Sequence, residues 1–144
     1  MIAVLGAGKM GEALISGMLR AGVSPGGVVA AVRRGERGEM LRDGYGIEVS
    51  SAVAAGGRAD TLVITVKPQD MASLLAEITS AVTADQLVIS VAAGITTSFI
   101  EGRLADGVPV IRVMSISSSV IWRAQCRMKL SKNACVAGLS FRYS

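Results

Sequence analysis

The glycine pattern Gly6-Ala7-Gly8-Lys9-Met10-Gly11 constrains the fold of this 144-residue chain more than any other feature. It directly follows the apolar run Ile2–Leu5 and precedes a segment with helical spacing. A GxGxxG between a strand and a helix predicts a dinucleotide-binding turn. Gly6 would allow the tight turn, Gly8 would let the backbone approach a diphosphate, and Gly11 would let the helix pack closely on the strand. The helix N-terminus would then offer free N–H groups and a partial positive charge to the phosphates.

Short apolar runs alternate with helical patterns through the first 114 residues, which predicts βαβ units and a parallel sheet. The expected strands are Ile2–Leu5, Val28–Val32, Ile47–Val49, Thr61–Val66, Leu87–Val91 and Val110–Met114. Six strands with five crossovers predict an α/β fold, a Rossmann-type doubly wound parallel sheet with helices on both faces.

Two of the helices show apolar or small residues at spacings of three and four, which predicts one buried face on each. The expected face of the first helix consists of Met10, Ala13, Leu14, Gly17, Met18 and Ala21. The expected face of the helix that follows Pro68 consists of Met71, Leu74, Leu75, Ile78 and Val82.

The charge and composition divide the chain at residue 114. The net charge is +4, but residues 1–114 hold ten Lys and Arg against eleven Asp and Glu, whereas residues 115–144 hold five basic residues and no acidic one. The basic character therefore belongs to the tail. With aromatic residues at 3% there is little to stack on bases, so nucleic-acid binding by the domain is not supported. We expect an NAD(P)-binding domain over 1–114.

Residues 115–144 are expected to be an atypical basic, Ser-rich tail. They hold seven serines, both cysteines and the only tryptophan, without a continuous helical or strand period. The segment is either a poorly ordered tail or a non-native continuation of the domain, such as a frameshift product. Its apolar run Val120-Ile121-Trp122 could cover an exposed sheet edge.

No membrane or export signal is evident. The chain opens on an apolar strand without a basic n-region. Its longest uncharged run, Gln86–Ile100, is shorter than the ~18 apolar residues of a membrane span. Two cysteines do not make a disulfide framework. We expect a soluble, cytoplasmic protein with no membrane partner.

The residues after the second strand predict the cofactor. Sites that prefer NAD place an Asp or Glu about 20 residues beyond the glycine motif, where it accepts from the ribose 2′-hydroxyl. This chain has Val32 there, followed by Arg33 and Arg34. Two guanidiniums can bind a 2′-phosphate bidentately, which favours NADPH, with NADH as the alternative. The other interpretation is two solvated arginines in a loop.

Four motifs in this order and spacing resemble pyrroline-5-carboxylate reductase: Gly6–Gly11, Val66-Lys67-Pro68-Gln69, Ser90-Val91-Ala92-Ala93-Gly94-Ile95 and Arg112-Val113-Met114. The resemblance covers Met1 to Met114. It implies NAD(P)H-dependent reduction of 1-pyrroline-5-carboxylate to L-proline, the last step of proline biosynthesis, by a homo-oligomeric oxidoreductase. The cofactor contacts it implies are Gly6, Ala7, Gly8, Lys9, Met10, Gly11, Arg33, Arg34, Val66, Lys67, Pro68, Ala92 and Ala93.

The chain also departs from this family. Such reductases continue with Pro-Asn-Thr-Pro where this chain has Ser115-Ile116-Ser117-Ser118, and an Asn often found after strand three is replaced near Ala52-Val53. The helical C-terminal domain, which in the family binds substrate and forms the dimer, has no counterpart in these 144 residues. The chain has no histidine, and neither cysteine has a base partner or metal-ligand spacing. We therefore expect a cofactor-binding fragment, without catalytic or metal-binding residues of its own and inactive alone. The alternatives are a β-hydroxyacid dehydrogenase relative and a stand-alone NADPH-binding module without turnover.

Overall fold

A computed structural model of the chain describes residues 1–115 and 122–127. The strands are β1 (Ile2–Leu5), β2 (Val28–Ala31), β3 (Glu48–Ser50), β4 (Thr61–Ile64), β5 (Leu87–Ser90), β6 (Val110–Ser115) and β7 (Trp122–Arg127). They form one sheet in the order β3-β2-β1-β4-β5-β6-β7. Strands β1 to β6 are parallel, which confirms the predicted Rossmann-type sheet.

The helices are α1 (Lys9–Arg20), α2 (Gly35–Tyr45), α3 (Ala52–Arg58), α4 (Met71–Ile78) and α5 (Thr97–Glu101), with 3-10 turns at Pro25–Gly27 and Pro68–Asp70. Ser51 caps α3 by accepting a hydrogen bond from Ala54 N at 3.2 Å, as a serine in this place predicts. Helix α2 ends before Gly46, whose φ of +66° suits glycine. No helix within the described residues is long and apolar enough to cross a membrane.

Apolar side chains pack on both faces of the sheet, because successive residues of a strand point to opposite sides. In β1, Ala3 and Leu5 belong to the larger core cluster, which includes buried residues of α3, α4 and α5. Val4 lies between them in sequence and belongs to the second cluster, with Ile15 of α1 and Leu41 of α2. The helices therefore cover both faces, as predicted.

The predicted face of α4 is confirmed. Its four apolar residues, together with Val82 beyond the helix, are at most 5% exposed. The predicted face of α1 is confirmed at Met18, which packs against the second core cluster, and is wrong at most of its other positions. Met10 is 43% exposed, and Ala13 and Gly17 are exposed as well, whereas the residues buried in this helix are Gly11 and Ile15. Helix α1 is rotated so that Gly11 lies against the sheet.

The sheet continues beyond the sixth strand that the sequence predicts. Strand β7 pairs antiparallel with β6, with Trp122 opposite Ser115 and Arg127 opposite Val110. No strand pattern in the sequence predicts β7, although the apolar run that ends at Trp122 indicated a segment able to cover a sheet edge. The rest of the expected tail, residues 116–121 and 128–144, lies outside the described residues.

Candidate functional site

The loops that carry the expected cofactor residues meet at one edge of the sheet. Leu5, the last residue of β1, pairs with Ala31 of β2 and with Ile64 of β4, and Ile64 pairs with Ser90 of β5. These strands therefore end side by side. The chain leaves β1 toward β2 on one side and later enters β4 on the other, so the order of the strands reverses at this point. In open α/β sheets such a reversal forms the crevice in which ligands bind.

Two glycines of the motif allow close approaches that no other residue would permit. Gly6 has a φ of +85°, and a Cβ there would lie 2.3 Å from Val66 Cγ1 and 3.0 Å from Val66 N. A Cβ on Gly11 would lie 2.8 Å from Thr65 Oγ1 and 3.3 Å from Val4 Cγ1. The loop after β1 is thus packed directly against the loop after β4, and α1 against the sheet. These are the structural roles that the spacing predicts.

Gly8 differs, because a Cβ there would meet only Gly6 O, at 3.9 Å. Gly8 is the residue before α1, and it has no side chain with which to cap the helix start. The first hydrogen bond of the helix runs from Glu12 N to Gly8 O, so the amides of Lys9, Met10 and Gly11 precede it. Open space thus adjoins a 12-residue helix whose N-terminal amides and dipole favour an anion. Ala7, by contrast, is fully buried.

Arg33 and Arg34 lie beside this loop, after β2, and both are exposed. Arg33 makes an ion pair with Asp70 (Nη1 to Oδ1, 3.0 Å), and its Nη2 donates to Ser73 Oγ at 3.3 Å. Arg34 immediately precedes α2 and has no side-chain hydrogen bond or ion pair within the described residues. The sequence predicts both arginines at this edge but not the contact of Arg33 with Asp70.

The loops after β4 and β5 supply the other expected residues. Val66 is partly buried against Gly6, whereas Lys67 and Pro68 are exposed, and Pro68 opens the 3-10 turn that leads into α4. Ala92 is only 6% exposed and its side chain packs in the larger core cluster, while Ala93 is exposed. Ala92 could therefore contact a ligand through its backbone but not through its buried side chain.

The structure adds three residues that the sequence reasoning missed. Arg37 of α2 donates to two carbonyls of the glycine loop, from Nε to Ala7 O at 3.2 Å and from Nη2 to Gly8 O at 3.1 Å. Arg37 also forms an ion pair with Glu12 of α1, and the Tyr45 hydroxyl donates to Glu12 Oε1 at 2.9 Å. Helix α2 is thereby tied to the glycine loop. No signal in the sequence marks Arg37, because charged residues on a polar helix are typical of a solvated face.

These contacts also change the titration of Glu12. The hydrogen bond from Tyr45, and then the hydrogen bond from Arg37, lower the pKa of the Glu12 carboxyl from its usual value, since both stabilise the carboxylate. The same contact with Glu12 raises the pKa of Tyr45. Glu12 is therefore a carboxylate at neutral pH, and its negative charge is paired with Arg37.

Comparisons with known proteins identify the family of this chain. Residues 1–94 match the family described as "NADP oxidoreductase coenzyme F420-dependent". A pyrroline-5-carboxylate reductase of Mycobacterium leprae is 37% identical over 125 residues, which are 83% of this chain and 42% of the relative. A second, of Corynebacterium melassecola, is 40% identical over 78% of this chain and 43% of the relative. The chain thus spans less than half the length of these two relatives.

Solved structures give the same result. A pyrroline-5-carboxylate reductase of Coxiella burnetii superposes with a TM-score of 0.80 at 25% identity, over 91% of this chain and 51% of that one. The resemblance stated from the four sequence motifs is therefore confirmed. The family description names NADP, which also confirms the expected class of cofactor.

Proposed function

Because the chain belongs to the NADP oxidoreductase family described as coenzyme F420-dependent, we propose that residues 1–114 bind NADPH for the reduction of 1-pyrroline-5-carboxylate to L-proline. The observation that carries the cofactor in this proposal is the start of α1, where a helix N-terminus without a capping side chain on Gly8 faces open space. The substrate is proposed from the likeness to the pyrroline-5-carboxylate reductases. A diphosphate fits there because its charge complements the helix dipole and because no Cβ obstructs the backbone amides.

The remaining expected residues have separate tasks in this proposal. The backbone from Gly6 to Gly11 holds the diphosphate, with Lys9 adding a positive charge at the entrance. Arg33 and Arg34 bind the 2′-phosphate, which distinguishes NADPH from NADH. The loops Val66–Pro68 and Ala92-Ala93 border the crevice on the side of β4 and β5 and shield the dinucleotide from water. Arg37 acts through the glycine loop, whose carbonyls it holds in place.

When bound, NADPH supplies the hydride that reduces the C=N bond of the substrate. The role of this chain is to hold the dinucleotide in one orientation. Positioning of the reactants can account for about 7–11 kcal/mol of barrier lowering. By resemblance, the substrate contacts belong to a helical C-terminal domain of the relatives, of whose length this chain spans less than half. The same resemblance supports a cytoplasmic enzyme that is homo-oligomeric at full length and acts on a small molecule.

We expect the 144-residue chain to bind NADPH saturably and to show no oxidation of NADPH that depends on 1-pyrroline-5-carboxylate. The physical reason is that, in this proposal, the contacts that place the substrate against the dinucleotide lie in the part of the relatives that this chain does not span. Calorimetric titration with NADPH and an absorbance assay with both compounds measure the two properties on one preparation.

The outcomes separate the alternatives. Binding without turnover agrees with a cofactor-binding part of a reductase and also with a stand-alone binding module. To distinguish them, residues 1–114 can be joined to the remaining half of a relative. Turnover by this fusion would identify the chain as part of a reductase. Absence of saturable NADPH binding would overturn the cofactor assignment. Steady oxidation of NADPH by the 144-residue chain that depends on 1-pyrroline-5-carboxylate would overturn the proposal that the substrate contacts belong to the helical C-terminal domain of the relatives.

A further inference from the structure

We propose that Asp70 is a specificity-determining residue that weakens NADPH binding by neutralising Arg33. The proposal rests on the assignment of Arg33 to the 2′-phosphate. It concerns a residue that neither the sequence motifs nor the comparisons assign to the site. Asp70 acts through Arg33, so it is a positioning residue rather than a direct ligand contact.

The contact between these residues crosses the carboxyl end of β1. Arg33 follows β2 and Asp70 precedes α4 beyond β4, and these two strands lie on opposite sides of β1. The ion pair at 3.0 Å and the weaker hydrogen bond to Ser73 at 3.3 Å therefore join the two walls of the crevice. If Arg33 binds the 2′-phosphate on the β2 side of the crevice, its guanidinium has to be shared with Asp70 and Ser73 or has to move away from them.

The position of Asp70 is fixed by its own backbone. Its N–H donates to Lys67 O at 2.9 Å, which closes the turn that begins at Pro68. Asp70 is also the residue before α4, yet its side chain makes no capping hydrogen bond to that helix. Within the described residues, the carboxylate of Asp70 is bonded to Arg33. The Asp70 carboxylate is therefore oriented by its contact with Arg33 and does not cap α4.

The charges at this point decide the direction of the effect. Arg33 and Arg34 provide two positive charges, and Asp70 cancels the first of them. A 2′-phosphate on Arg33 would compete with the carboxylate for the same guanidinium and would also be repelled by it. Because 64% of the Arg33 side chain and 37% of the Asp70 side chain are exposed, solvent screens the pair and the effect is moderate.

The test is a titration of the full chain with NADPH and with NADH, in low salt. Asp70→Asn and Asp70→Ala are expected to raise NADPH affinity about twofold to fivefold, the range of an exposed ion pair. NADH affinity should stay unchanged, because NADH lacks the phosphate. The gain should shrink as salt is added, since ions screen exposed charges. Asp70→Ala is included because the side-chain amide oxygen in Asp70→Asn could still accept a hydrogen bond from Arg33.

Two further variants make the result specific. Glu77→Gln removes the same charge from the far end of α4, where Glu77 is exposed, and should change neither affinity. In an Arg33→Ala background, Asp70→Asn should no longer raise NADPH affinity, because the residue through which it acts is missing. The double-mutant comparison isolates this coupling.

Several results would overturn the proposal. These are a loss of NADPH affinity or no change in Asp70→Asn, an equal gain for NADH, and an equal gain in the Arg33→Ala background. If Arg33→Ala alone leaves the NADPH affinity unaltered, the 2′-phosphate assignment fails, and the proposal for Asp70 fails with it. If Arg33→Ala weakens NADPH but Asp70→Asn does nothing, the proposal for Asp70 alone is wrong.

Discussion

Gly8→Val should remove most of the binding of both NADPH and NADH and leave the chain folded. The backbone of Gly8 has a φ of −75°, which other residues also adopt, and a Cβ there would meet only Gly6 O at 3.9 Å. The added side chain would instead fill the open space in front of the helix amides. Overpacking costs up to about 3 kcal/mol, which corresponds to about a 100-fold loss of affinity for either nucleotide. Calorimetric titration with both nucleotides measures the loss.

Gly17→Val is the matched control for this variant. Gly17 is exposed on the same helix, and a Cβ there would meet nothing within 4 Å. The control should bind both nucleotides like the unmodified chain, and thermal unfolding should show that both variants are folded. Unaltered nucleotide binding by folded Gly8→Val would mean that the diphosphate does not lie at the start of α1.

Gly11→Val should destabilise the fold itself, by about 2–3 kcal/mol. A Cβ at Gly11 would already lie 2.8 Å from Thr65 Oγ1 and 3.3 Å from Val4 Cγ1, and valine adds two methyl groups to this contact. Helix α1 would have to move away from the sheet, and overpacking of this kind costs about 1–3 kcal/mol. Equilibrium unfolding in urea measures the free energy of unfolding.

The same Gly17→Val control applies, because it places an identical side chain on the outer face of α1. It should change the free energy of unfolding by less than about 0.5 kcal/mol, as surface substitutions usually do. An unchanged midpoint in Gly11→Val would show that α1 does not pack on β1 and on the loop after β4 as closely as the contacts of Gly11 indicate.

The strands could be predicted from the sequence because a buried parallel strand is a short, continuous apolar run bounded by turn residues. The face of α4 could also be predicted, since only one side of that helix is apolar. Helix α1 is apolar or small on more than one side, so the apolar spacing alone does not identify the face that packs on the sheet. The close approach of Gly11 to Val4 and Thr65 fixes the orientation of α1, and the glycine motif predicts this approach.

Strand β7 and the contacts across the site could not be predicted in this way. Strand β7 (Trp122–Arg127) includes two arginines, Arg123 and Arg127, and has no distinctive strand pattern. Its pairing depends on the edge that β6 offers. The contact of Arg37 with the glycine loop and that of Arg33 with Asp70 join residues 29 to 37 positions apart. Such contacts depend on the position that the sheet gives to each loop, and sequence motifs do not predict that position.

The assignment of NADPH to this site is tested most directly by titrating the unmodified chain, Arg33→Ala and Arg34→Ala with NADPH and with NADH. The unmodified chain should bind NADPH more tightly than NADH. Each charge-assisted contact to the 2′-phosphate is worth ~1.5–3 kcal/mol, and exposure places the expected loss near the lower end, about 10-fold for NADPH in each variant. NADH binding should stay nearly unchanged in both. Equal weakening of the two nucleotides in both arginine variants, or a chain that binds neither nucleotide, would contradict the account.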